Sequence, residues 1–155
     1  MVIRRLIVAT GCAVLVTAVA LAQSSDPQVG TWKLNAEKSK GTMFKGGTVT
    51  VEAAGQGFKT TVDLVGQDGT PSKWSFTAQH DGKDNPVTGS NPFGNTVSIT
   101  RVDARTLKAT IKQDGKVTLT QTVTVSEDGK TRTIASKGTS SDGRPIDSTT
   151  HYDRQ

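Results

Sequence analysis

His80 and His151 are the only imidazoles in this 155-residue chain, and Cys12 is the only thiol. Nucleophilic catalysis needs a hydroxyl or thiol within hydrogen-bond reach of a base. No Gly-x-Ser-x-Gly elbow is present. The serines sit in Thr/Ser-rich alternating runs and turns. A Ser-His-Asp set would have to be assembled from distant residues without any local mark, so the chain is not expected to be an enzyme. His80-Asp81, with Asp84 close by, offers an oxygen-rich corner of the kind a hard cation takes. Asp81-Gly82 reads instead as a hairpin turn and Asp84 as a solvated loop charge. No ligand spacing of a known type occurs, so neither metal nor cofactor is expected. Gly41, Gly46 and Gly47 lack the Lys-Ser/Thr and the helix that complete a phosphate-cradling loop.

The remaining chemistry is recognition. Trp74 and Phe76 alternate on one face of an apolar run. Arg101 and Gln121 fall on the apolar parity of their own runs, where an inward polar group can orient a ligand head. Together with Tyr152 they form the candidate ligand-binding set. Each also has a plain structural reading. Trp74 and Phe76 serve as core, Arg101 keeps its head in water at a strand end, and Gln121 pairs with backbone. His80 shares the parity of Trp74 and Phe76 but borders a turn, which places it in solvent.

The elements that must position these residues announce themselves through punctuation. Five Asp-Gly pairs occur, at 68–69, 81–82, 114–115, 128–129 and 142–143. Both residues tolerate positive φ, which tight hairpins need. The last three pairs recur every 14 residues, a spacing that fits strands of about 8–10 residues with short turns. Between turns the chain alternates. Val117, Leu119, Gln121, Val123 and Val125 face one way, and Thr118, Thr120, Thr122 and Thr124 the other, the period of a half-buried strand. Phe58 to Leu64, Trp74 to His80 and Leu107 to Ile111 do the same. This predicts strands over 29–35, 47–54, 57–65, 72–80, 95–101, 105–113, 116–126, 130–138 and 145–153, with a short piece at 86–88. At most one turn of helix fits near Ala36 to Lys40. The expectation is an all-β, antiparallel up-and-down barrel of 8–10 strands with little or no helix, closure removing exposed edges. A two-sheet sandwich is the alternative, disfavoured by the short hairpins. The stretch from His80 to Asn95, with Pro86, Gly89, Pro92 and Gly94, reads as a rim loop. Inward parity collects Trp32, Leu34, Phe58, Val62, Leu64, Val97, Ile99, Leu107, Ile111, Leu119 and Val123. Ala53, Ala78, Ala109 and Ala135 lie among them, and an interior lined by small residues is expected to be hollow.

Residues 1–22 read differently. Arg4 and Arg5 precede an uncharged run from Leu6 to Ala20, and Ala20-Leu21-Ala22 supplies a small-residue cleavage box, the layout of a secretory signal peptide. The run is short for a membrane span, which disfavours a retained anchor. Cys12 sits too early in it for a lipidation box, so it reads as an ordinary leader residue. The expected mature domain is 23–155, without cysteine. Removing Arg4 and Arg5 from 19 basic residues leaves 17 against 14 acidic ones, or +3. The lysines are scattered, with no basic run interleaved with aromatics, so no nucleic-acid partner is expected.

Gly30-Thr31-Trp32-Lys33-Leu34 resembles the opening Gly-x-Trp of lipocalins and fatty-acid-binding proteins, the calycin barrels. The close, His151-Tyr152-Asp153-Arg154-Gln155, resembles the end of the same barrels. The longer string Gly30 to Asn35, with Lys38-Ser39-Lys40, is similar to small secreted bacterial lipocalin-like proteins. So are Asp81 to Asp84, Pro86 to Gly89, Thr96 to Ile99 and Arg101-Val102-Asp103. The likeness covers most of 29–154 and implies a calycin barrel with Trp32 closing its base. Where intracellular members carry Arg-x-Tyr near the C-terminus, Tyr152 matches the tyrosine but Thr150 stands at the arginine. The span from Leu34 to Thr48 leaves no room for their two-helix lid.

The expected function is that of a secreted monomer, periplasmic or extracellular, that holds a small apolar or amphipathic molecule in a barrel cavity and does not insert stably in a membrane. The alternative is a solid barrel serving as a structural or interaction module of the envelope, with its Thr/Lys faces and the 81–95 loop as contact surface.

Overall fold

The computed structural model describes residues 26–155; the expected leader, residues 1–22 with Cys12, lies outside that range. The described chain is all β and forms β1 (Gly30–Lys40), β2 (Phe44–Ala54), β3 (Gly57–Gly66), β4 (Pro71–Gln79), β5 (Asn85–Pro86), β6 (Thr88–Gly89), β7 (Thr96–Arg101), β8 (Thr106–Gln113), β9 (Lys116–Val125), β10 (Thr131–Thr139) and β11 (Pro145–Arg154). These are the expected strands plus one more, because the short piece at 86–88 is split in two. All pairings are antiparallel, in the order β5-β7-β8-β9-β10-β11-β1-β2-β3-β4-β6. Sequence neighbours are sheet neighbours except where β1 meets β11 and at β5 and β6, so the sheet curls into a nearly closed up-and-down barrel.

The turns follow from the Asp-Gly chemistry. At Asp114-Gly115 both residues have positive φ, 51° and 82°, the two-residue hairpin whose twist matches the flanking strands. The pairs at 68–69, 128–129 and 142–143 close differently. There the glycine N–H donates to the carbonyl of Gly66, Ser126 or Ser140, while Asp68 and Asp128 accept the N–H two residues on. Such donors hold the Asp68 and Asp128 carboxyls below the usual range, Asp68 mainly through Thr70 and Asp128 mainly through the Ser126 hydroxyl.

Asp81-Gly82 is not a hairpin turn. Asp81 bridges to Thr100, and the Gly82 N–H donates to the Ile99 carbonyl. The chain from Asp81 to Asn95 then runs along the seam between β4 and β7. β5 pairs with β7 and β6 with β4, two residues each. The expected rim loop is therefore a strap that completes the wall. No hydrogen-bonded ladder joins β4 to β7 directly, so the seam is held by these two short rungs and by the Asp81–Thr100 bridge.

Three expectations about faces are corrected by register. β1 runs on to Lys40 as strand, so the single turn of helix that at most fitted near Ala36 to Lys40 is not formed. Asn35 pairs with His151 but Lys40 with Thr149, so five steps on β1 match two on β11. That bulge is tied by the Ser39 hydroxyl on the Asn35 carbonyl, 2.7 Å. Val117 is 51 % exposed. Ile111 pairs with Leu119 and Lys112 with Val117, which leaves Thr118 as the extra bulge residue and flips the parity beyond it. Ala53 and Ala135 are exposed. Ala53 lies near the end of β2, and Ala135 alternates with the inward Ile134 and Ser136. Ala78 and Ala109 are buried as expected.

Trp32 anchors the base of the barrel. It is 0 % exposed and donates its indole N–H to the Gln28 carbonyl at 3.0 Å. The Arg154 guanidinium stacks 4.1 Å from its ring centroid. Arg154 also donates to the carbonyls of Gly129, Val29 and Pro27 at 2.6–2.7 Å. This clamp explains Gly30, whose φ is +144° and whose missing Cβ would sit 2.4 Å from the Arg154 Nη1. Around it lies the rest of the apolar core, including Leu34, Phe58, Leu107 and Val125.

Candidate ligand cavity

The core does not fill the barrel. A cavity of about 300 Å³ runs inside it, at the small end of the range for small-molecule sites. It extends from Met43, Asn91, Phe93 and Arg144 at the rim to Phe58, Leu107 and Arg132 toward the base. Its lining is two-sided. β2, β3, β4, β7 and β8 contribute mostly apolar side chains, among them Val49, Val62, Trp74, Val97 and Ile111. β9, β10 and β11 contribute a polar stripe of Gln121, Arg132, Ser136, Ser148, Thr150 and Tyr152. The stripe arises because β10 and β11 carry polar side chains at inward positions in direct register, Ser136 opposite Ser148 and Arg132 opposite Tyr152.

Four of the five candidate ligand residues line this space: Trp74, Phe76, Gln121 and Tyr152. Trp74 belongs to an aromatic group near the rim, its ring 6.1 Å from Phe44 and 6.2 Å from Phe93. Gln121 donates to the Ser136 hydroxyl at 3.0 Å, pairing with a side chain rather than with backbone. Arg101 is not among the lining residues. Its guanidinium binds the Asp26 carboxylate and the carbonyls of Asp103 and Ala104, and it lies 5.6 Å from the Phe58 ring centroid. Position at the end of β7 puts it beside loop acceptors, which outcompete an inward role.

His80 is half-buried rather than solvated, with its ring 4.7 Å from Phe58 and its Nε2 buried without a partner. Desolvation, with the nearby Arg101 charge second, holds its pKa below the ordinary value.

The residue that the sequence reading passed over is Arg132. It shares the inward parity of Ile134 and Ser136, the same signal that singled out Arg101 and Gln121. Arg132 is 6 % exposed, and its Nε and Nη1 are buried with no hydrogen-bond partner. Its guanidinium lies 6.0 Å from the Trp32 ring centroid. Burial pushes its pKa down to about 10, so it remains a cation at neutral pH. Burial pushes the facing Tyr152 phenol up to about 12, so it remains a hydroxyl, a possible donor. Among the described residues no group of three or more His, Cys, Asp or Glu side chains is gathered to hold a metal ion. Compared with known proteins, the chain matches no family model and no curated sequence.

Proposed function

We propose that this chain is a secreted binding protein that carries a small apolar or amphipathic molecule inside its barrel. The observation that supports this most is the cavity of about 300 Å³ with an apolar wall facing a polar stripe. Burying a ligand's apolar body there contributes roughly 25 cal/mol for each Å² removed from water, while the stripe orients its polar end. The leader-like residues 1–22 support action after export, in the periplasm or outside the cell. The Gly-x-Trp opening, with Trp32 buried at the base, supports a calycin-like reading of the barrel. In this reading the protein is a monomer without catalytic chemistry, metal or nucleic-acid partner.

Native mass spectrometry of the protein, purified from its host without detergent, tests the proposal. A reproducible added mass, together with uptake of the neutral dye Nile red by the stripped protein, is expected. Bare protein that takes up no dye would replace the carrier with the envelope interaction module.

A further inference from the structure

The barrel wall is fastened unequally around its circumference. On one edge β4 pairs with β3 along its whole length, from Pro71 opposite Val65 to Gln79 opposite Gly57. On its other edge it meets the strap at two positions, Trp74 opposite Gly89 and Ser75 opposite Thr88. The Ser90 N–H adds one bond, to the Lys73 carbonyl at 2.7 Å. The far side of the strap is tied much more firmly. β5 pairs with β7, and that ladder continues as the Val87 N–H on the Asn95 carbonyl. The Asn95 N–H donates to the Lys112 carbonyl of β8, and Lys112 pairs with Asp84 at 2.8 Å. The Phe93 carbonyl accepts the Thr118 hydroxyl at 2.6 Å. The Pro92 carbonyl accepts both the N–H and the hydroxyl of Ser141. The strap is thus bound to the β7–β11 half of the wall, and the weakest line runs between β6 and β4. Segments with few backbone bonds open locally at the lowest cost.

That line borders the cavity on both sides. Trp74 and Phe76 line the cavity from β4, and Val87, Asn91 and Phe93 line it from the strap. Outside the wall a shallow groove is bordered by Lys73, Trp74, Ser75 and Thr88, so Trp74 stands between the cavity and the surface. At the rim end the Phe93 ring lies edge-on to Phe44 and Trp74, at 6.1 and 6.2 Å. Apolar contact closes the seam there and fixes no direction the way a ladder does. We infer that the strap is a lateral gate, and that the occupant enters and leaves through the wall between β4 and β6. On opening, β6 parts from β4 and the Phe93 ring parts from Phe44 and Trp74. The Asp81–Thr100 bridge holds the base end as the hinge. This rests on the carrier reading and supplies its route of exchange.

Two measurements test the gate. In wild-type protein, amide hydrogen exchange followed by NMR is expected to show Ser90 protected about 10-fold less, or weaker still, than Val87 and Asn95 on the firmly tied side. In Ser75→Cys/Thr88→Cys, oxidation joins two residues that face each other in the β4–β6 ladder, neither of which lines the cavity. Stopped-flow uptake of Nile red is expected to slow about 10-fold on oxidation and to recover with dithiothreitol, while the equilibrium affinity stays within about twofold. Slower entry at unchanged affinity marks a route, whereas a purely structural tie would move affinity. The reduced form is the control for folding, and the wild-type exchange comparison stands without the variant. Equal protection of Ser90 and Val87 would overturn the gate and leave the carrier intact. Unchanged uptake by the oxidised form would place entry at the rim beside Met43 and also overturn the gate alone. Absence of dye binding in wild type and in both forms of the variant would overturn the carrier reading and this route with it.

Discussion

Arg132 and Tyr152 stand directly opposite each other on β10 and β11, both almost fully buried and both lining the cavity. Burial acts on them in opposite senses. It disfavours the charged form of each, which lowers the basic group and raises the acidic one.

Stability at alkaline pH should register that opposition. Burial brings the folded Arg132 down to about 10, well below the range in which the unfolded side chain releases its proton. The unfolded state then binds more protons, so this group makes stability rise with pH through that window. The unfolded Tyr152 ionises near 10 while the folded one holds its proton to about 12, so this group makes stability fall. From pH 10 to 12 the two offset. Urea unfolding should show Tyr152→Phe gaining on wild type across that range and Arg132→Met losing ground. Variants that track wild type in parallel would contradict the assignment.

The base clamp predicts a coupling. Gly30→Ala puts a methyl against Arg154 at a positive φ and should cost about 2 kcal/mol, the range for backbone strain with a clash. Arg154→Ala strips three carbonyls of their donor and should cost about 3 kcal/mol. The double variant should lose less than the two together, since the clash disappears with the guanidinium. Additive losses would separate the two residues.

Filling the cavity should trade binding for stability. Ala109→Leu adds volume at a buried lining position and is expected to stabilise by about 1 kcal/mol, as void-filling substitutions commonly do. Nile red affinity should fall at least tenfold. Unchanged dye binding would place the occupied site elsewhere.

His80 should make the barrel acid-sensitive near neutrality. Its pKa is depressed in the fold by desolvation, so the unfolded state takes up a proton first, near 6.5. Stability then falls as pH drops below about 6.5 and levels off once the folded pKa is passed. Melting temperatures between pH 7 and 5 should show a shallower decline for His80→Gln. An equal decline would mean that the ring is solvated in both states.

Much of this architecture was legible because its causes are local. Asp114-Gly115 makes a tight turn in any context that pairs its flanks, since both residues accept positive φ. Alternation over Trp74 to Ala78 or Leu107 to Ile111 places a strand and its buried face from neighbouring residues alone. Where the parity argument failed, a bulge had intervened. Val117 is exposed because Thr118 drops out of register, and nothing in the alternation of Val117 and Leu119 marks that slip.

The site divides the same way. Sequence alone determined the strands, the turns and the inward parity of Trp74, Gln121 and, unnoticed, Arg132, because backbone period and turn chemistry act over a few residues. Only the tertiary structure decided that Arg101 meets Asp26, 75 positions away, and so is spent on the base. Only it decided that Arg132 meets no acceptor. Partnership is set by curl and register across β7 to β11, which bring together groups that no short stretch of chain relates. An unpaired charge is a property of every neighbour at once, and neighbours across a barrel exist only after it closes.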